Sequence, residues 1–167
     1  MTISKQVEQF WKIVDTLFFW LSALTLGGMT VLIFTQVLFR YVFNSPLAWT
    51  EELARFLFIW MTFVAGVVAA RRGGHIGVEL IVNRLSSLSK KTVGVFAHLV
   101  SALFFGIISF YCVSLWDKLS LQLSPALQLP LSYVYLGIIL GSVFMGLHYL
   151  WAMTALCLPK KEGRDAK

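Results

Sequence analysis

Charge is what this chain has least of. Asp, Glu, Lys and Arg make up only 13% of its 167 residues, against about 25% in soluble domains, while 58% are hydrophobic and the mean hydropathy is +0.78. Such a chain cannot keep a polar face toward water on all sides, so it is read as an integral membrane protein. Spans of about 20 residues each use up most of its length, which leaves no room for a soluble catalytic domain. Cysteine is nearly absent: Cys112 and Cys157 lie in apolar segments and form no C-x-x-C pair, which excludes a disulfide framework and a zinc site. Acids are few as well. A self-contained exporter needs a membrane-embedded carboxylate for coupling, and only Asp15, at the edge of a span, comes near. There is no phosphate-binding glycine loop, hydrolase nucleophile motif or metal-ligand spacing, so neither an enzyme nor a resident cofactor or metal is expected. No internal repeat and no matched pair of Gly/Pro-interrupted spans marks a transport core. The net charge of +6 comes from basic residues set between apolar segments rather than along one stripe, which is a topology signal and not a nucleic-acid one.

What is present is a set of long apolar runs. The expected architecture is an all-α membrane protein with four transmembrane helices, over about 13–39, 50–70, 92–116 and 131–157. Met1 to Lys12 reads as a short interfacial helix with Phe10 and Trp11 at its end, retained rather than cleaved because the following run is too long for a signal peptide. Val78, Ile81, Val82, Leu85 and Leu88 follow helical spacing among polar residues, so an amphipathic surface helix is expected over about 76–90. Between spans three and four, Asp117 and Lys118 mark an exit, and Pro125 and Pro130 argue for a loop or a short surface helix. Gly137 and Gly141 form a small-xxx-small pair that lets another helix approach.

The polar residues concentrate between Arg40 and His75. Asn44-Ser45-Pro46 is a turn signal in which Ser45 is the expected N-cap and Pro46 the first residue of a new helix. Glu51 and Glu52 then fall in its first turns, favoured by the helix dipole. Either can pair with Arg55 at a spacing of four or three. The uncharged run Phe56–Ala70 covers only about 22 Å, so Arg55 and one of the acids must reach the membrane boundary. Arg71, Arg72, Gly73, Gly74 and His75 end the span.

Basic residues orient the chain. Eleven of the fourteen (Lys5, Lys12, Arg71, Arg72, Arg84, Lys90, Lys91, Lys160, Lys161, Arg164 and Lys167) share a side with both termini, and only Arg40, Arg55 and Lys118 lie opposite. The positive-inside rule puts both termini in the cytoplasm. Arg71, Arg72, His75, Arg84, Lys90 and Lys91 then form a band suited to anionic headgroups. One cofactor reading competes: His98 and His148 lie about 9 and 13 Å inside the cytoplasmic ends of their spans by helical rise, a depth that would allow bis-histidine haem b ligation. A single histidine per helix equally suits a hydrogen bond across a bundle.

The run from Arg40 through Tyr41, Asn44, Pro46, Trp49, Glu51 and Glu52 to Arg55 resembles the signature of the small membrane subunit of TRAP (tripartite ATP-independent periplasmic) transporters, and so does its continuation through Phe58-Ile59-Trp60 to Arg71 and His75. Length, span number and the surface helix match too. The resemblance implies a scaffold that packs beside a large elevator-type membrane subunit. That partner takes up an organic acid, delivered by a periplasmic substrate-binding protein and driven by sodium. The pattern is most similar to the sialic-acid branch, with C4-dicarboxylate transporters next. Because the chain stops at Lys167, the large subunit is expected as a separate chain. On this resemblance Arg40, Asn44, Pro46, Trp49, Glu51, Glu52 and Arg55 are the docking and positioning candidates.

Overall fold

The computed structural model describes residues 3–72 and 87–157. Within them the chain is helical, and four of its helices are long and apolar enough to cross a membrane. They are α1 (Ile3–Tyr41), α2 (Ala48–Arg71), α3 (Ser87–Ser114) and α5 (Ser132–Cys157), with a short α4 (Trp116–Leu121) between α3 and α5. Most of the surface helix expected over 76–90 lies outside the described residues, as do His75 and Arg84.

α1 departs from the sequence reading. Instead of an interfacial helix followed by a span, it is one continuous helix of 39 residues. No proline interrupts it, and Trp11 and Val14 extend the face of the partly buried Phe18 upstream of the uncharged run. Trp11, expected at a membrane boundary, is instead 6% exposed and packs on His148 at 5.4 Å between ring centroids.

The start of α2 also shifts. Asn44 adopts a left-handed φ of 50°, and the Ser45 amide donates 3.0 Å back to the carbonyl of Phe39. This is the bonding of a helix C-terminus closed by a left-handed residue. The Asn-Ser pair therefore ends α1 rather than starting α2. Pro46 and Leu47 follow without helical bonding, and α2 begins at Ala48 with Leu47 in an extended N-cap that has no side-chain hydrogen bond. Thr50, wholly buried, donates its hydroxyl to the Leu47 carbonyl at 2.7 Å.

The main helix-to-helix contacts run α1 to α2, α2 to α5 and α5 to α3, and α1 also reaches α5 through side chains, Trp11 on His148 and Phe18 on Phe144 at 4.9 Å. The arrangement is thus a row joined mainly in series, with one core of Trp11, Val14, Val67, Ala102, Met145 and Tyr149 that draws on all four helices. Burial follows from it: 39% of the apolar window of α5 and 22% of that of α2 are buried, against 6% for α1 and for α3. Because lipid is as apolar as leucine, the α2–α5 contact rests on close packing and hydrogen bonds rather than on the hydrophobic effect. At Gly141 an added Cβ would sit 2.7 Å from the Phe63 carbonyl oxygen, and at Gly137 it would sit 2.8 Å from the Trp60 indole. Only a bare backbone fits there. The Trp60 indole N–H donates to the Tyr133 carbonyl at 3.0 Å, and His148 sits against the Ala70 backbone. The seam is therefore pinned by a hydrogen bond at the Trp60 end, while Ser109 and Ser142 share a hydrogen bond of 2.8 Å that holds α3 to α5.

Candidate functional site

Two polar ends bracket the row. At the turn end, where α1 hands over to α2, Glu51 gathers three partners from two helices. Its carboxylate lies 3.3 Å from Arg55 and 3.8 Å from Arg40, and accepts a hydrogen bond from the Gln36 amide at 3.2 Å. All three ionic side chains are at least half exposed, so each pair contributes only about 0–1 kcal/mol. What the cluster supplies is a fixed arrangement of charge, two guanidiniums flanking one carboxylate.

Glu52 does different work, although it is the next residue. A single step along a helix rotates the side chain by about 100°, and Glu52 turns toward the connection between α4 and α5. There the consecutive amides of Ala126 and Leu127 donate to its Oε2 at 2.7 and 3.1 Å, with Ser124 beside the carboxylate. Arg55 is therefore paired with Glu51, and Glu52 serves as an acceptor for a loop 74 residues away. Nothing local in the sequence marks that bond. The loop itself is a tight hairpin-like turn, with a bridge between Leu123 and Pro130 and with Gln128 at φ 55°. Ser124 closes it, its amide donating to the Leu129 carbonyl at 2.9 Å and its hydroxyl accepting from the Leu129 amide at 3.2 Å. Asn44, Pro46 and Trp49 stand exposed at the same end of the row.

At the terminal end, Arg72 bonds Asp15 at 3.1 Å and lies over the Phe19 ring at 5.1 Å, tying the end of α2 to α1. Sequence spacing, which treated Asp15 and Arg72 separately, does not reveal this pair. Arg71 is half-buried, and Lys90 and Lys91 are exposed in the first turn of α3.

The two histidines of the haem reading meet through one residue. Tyr149 packs on His98 at 5.8 Å and on His148 at 5.9 Å, and stacks on Phe105 with the ring planes 5° apart. His148 also lies between Trp11 and Trp151, at 5.4 and 6.1 Å. Its ring is taken up in packing between helices. Among the described residues no three His, Cys, Asp or Glu side chains gather to hold a metal ion.

The family model for the DctQ component of tripartite ATP-independent periplasmic transporters matches residues 29–158. Among curated proteins, the ectoine TRAP transporter small permease protein TeaB of Halomonas elongata is 30% identical over 146 residues, 83% of this chain and 75% of its own length. The C4-dicarboxylate TRAP transporter small permease protein DctQ of Vibrio cholerae is 35% identical over 82 residues, 46% of this chain and 35% of its own. The sialic acid TRAP transporter permease protein SiaT of Haemophilus influenzae is 30% identical over 89 residues, 53% of this chain and 14% of its own. The chain spans about a third of the length of the first curated relatives it matches, 37% and 35%.

Proposed function

Because this chain belongs to the DctQ-component family of tripartite ATP-independent periplasmic transporters, we propose that it is the scaffold that steadies the large, moving membrane subunit during sodium-coupled uptake of an organic acid. The observation that carries this reading is the lateral apolar surface of the two outer helices, which bury only 6% of their apolar windows against 22% and 39% for the central pair. That surface offers a wide lateral face to a larger membrane partner, and the close-packed seam between the central helices holds without it. The terminal end faces the cytoplasm, as the distribution of lysine and arginine supports. There Arg71, Arg72, His75, Arg84, Lys90 and Lys91 hold the row against anionic headgroups. The turn end faces the periplasm, where the Arg40–Glu51–Arg55 cluster receives the loaded periplasmic binding protein. Gly137 and Gly141 keep the row rigid.

For the substrate, sialic acid stands first and a C4-dicarboxylate second. The resemblance of the 40–55 stretch supports that order, and the relatives named for these solutes, and for ectoine, fall within the same range of identity, 30–35%. Uptake of labelled N-acetylneuraminate against labelled succinate decides between them. The role itself is tested by expressing the tagged chain with its genomic neighbours and purifying it in mild detergent. A large multi-span permease is expected in the eluate. A stable homodimer with a Soret absorption band would overturn the reading.

A further inference from the structure

Beyond the ion cluster, the turn end carries a second element whose shape depends on one side chain. We propose that Glu52 is a positioning residue that holds the 122–131 loop in a preformed shape, and that this loop is the part of the turn end that touches the incoming periplasmic binding protein. The proposal rests on the scaffold reading above and adds a contact element to it.

Three observations carry it. The loop's own hydrogen bonds are internal: Ser124 with Leu129, the Gln128 amide to the Ser124 carbonyl, and the Leu131 amide to the Gln122 carbonyl at 2.9 Å. They set its turn but do not set its position against the helices. Glu52 sets that position, since two neighbouring amides converge on one oxygen of a side chain from α2. A carboxylate accepting two amide hydrogen bonds holds its donors more tightly than a neutral acceptor does. Second, the loop and the ion cluster form one surface. A crevice of about 380 Å³ separates the loop from the start of α2, with Glu51, Glu52 and Arg55 on one wall and Pro125 and Ala126 on the other. A protein landing on the Arg40–Glu51–Arg55 cluster therefore meets the loop as well. Third, this end presents apolar side chains around the latch, with Leu121, Leu123 and Leu129 all exposed. Exposed leucine beside fixed charge is the composition of a protein contact, an apolar centre with a polar rim. A soluble partner with an acidic surface is the occupant that the adjoining cluster favours, because two exposed guanidiniums share the one Glu51 carboxylate and leave net positive charge that an apolar lipid tail would not match.

The test places the photocrosslinker p-benzoylphenylalanine at position 129 of the full chain, co-expressed with its large subunit and binding protein. Illumination is expected to join the chain to the binding protein. In Glu52→Ala that product falls by roughly tenfold while recovery of the large subunit is unchanged. Glu52→Gln, which keeps an acceptor oxygen in place, restores much of it. A purely structural role for Glu52 would instead lower recovery of the large subunit and leave the crosslink per assembled complex constant, which overturns the proposal. So does a crosslink that goes to the large subunit, forms with no protein, or is unaffected in Glu52→Ala. If the unsubstituted chain is not recovered with a large subunit at all, the scaffold reading falls and the loop proposal with it.

Discussion

The two central helices and the two outer ones are built on opposite plans. Where α2 meets α5, the chain places glycine and histidine, Gly137 and Gly141 against Trp60 and Phe63 and His148 against the Ala70 backbone, and where α5 meets α3 it places Ser142 against Ser109. On the free faces of α1 and α3 it places the bulky apolar residues, with Leu24, Phe34, Phe96, Leu103 and Phe110 among the exposed ones. In water that distribution would be inverted. In a membrane, burying leucine against leucine gains little over burying it in lipid, so cohesion comes from whatever brings backbones close and satisfies polar groups. The difference teaches that small residues mark the joints, where backbones close on one another, while the bulky residues outside the Trp11–Met145–Tyr149 core face outward.

Breaking the seam should have the largest effect. Gly141→Ala forces a methyl against the Phe63 carbonyl, and overpacking of this kind costs about 1–3 kcal/mol. A lowered melting temperature of the detergent-solubilised chain is expected, and an unchanged one would show that the row tolerates a wider α2–α5 spacing. A smaller loss is expected from Ser142→Ala, which removes the hydroxyl shared with Ser109. Interhelical hydrogen bonds in membranes average about 0.6 kcal/mol, and the same melting measurement reads it. The smallest effect on the isolated chain is expected from Leu103→Ala on the uncovered face of α3, within about 0.5 kcal/mol. If that change instead destabilised the chain as much as Gly141→Ala, the division between joints and outside would fail.

Much of this was readable without coordinates, and the contacts that were not share one cause. Four long apolar helices follow from hydropathy and length, and a spacing of four places Arg55 within reach of Glu51. What could not be read is which helix stands next to which. In a soluble bundle an apolar stripe points at the core, but a lipid-facing helix is apolar all round, so periodicity no longer names a neighbour. Every missed contact is of that type: Asp15 with Arg72, Glu52 with the amides of Ala126 and Leu127, and Trp11 with His148. The misplaced start of α2 has a different origin. Ser45 and Pro46 have the side chains of a helix start, yet the Ser45 amide is already taken by the end of α1. Two capping signals competed for one short turn, and side-chain preference alone cannot decide which helix wins.

The row is also uneven in the thickness of membrane it asks for. The uncharged run of α1, Leu17–Phe39, covers about 34 Å along its axis, whereas that of α2, Phe56–Ala70, covers about 22 Å. The two helices are fastened together by Asp15 and Arg72 at one end and by Glu51 with Gln36 and Arg40 at the other, so neither can slide to find its own depth. α5 carries no charge over all 26 of its residues, so α2 alone asks for a thin membrane. Acyl-chain length therefore acts on this protein as a mechanical variable: short chains suit α2, long chains suit α1 and α5, and a change of bilayer thickness is met by tilt of helices that cannot slide apart.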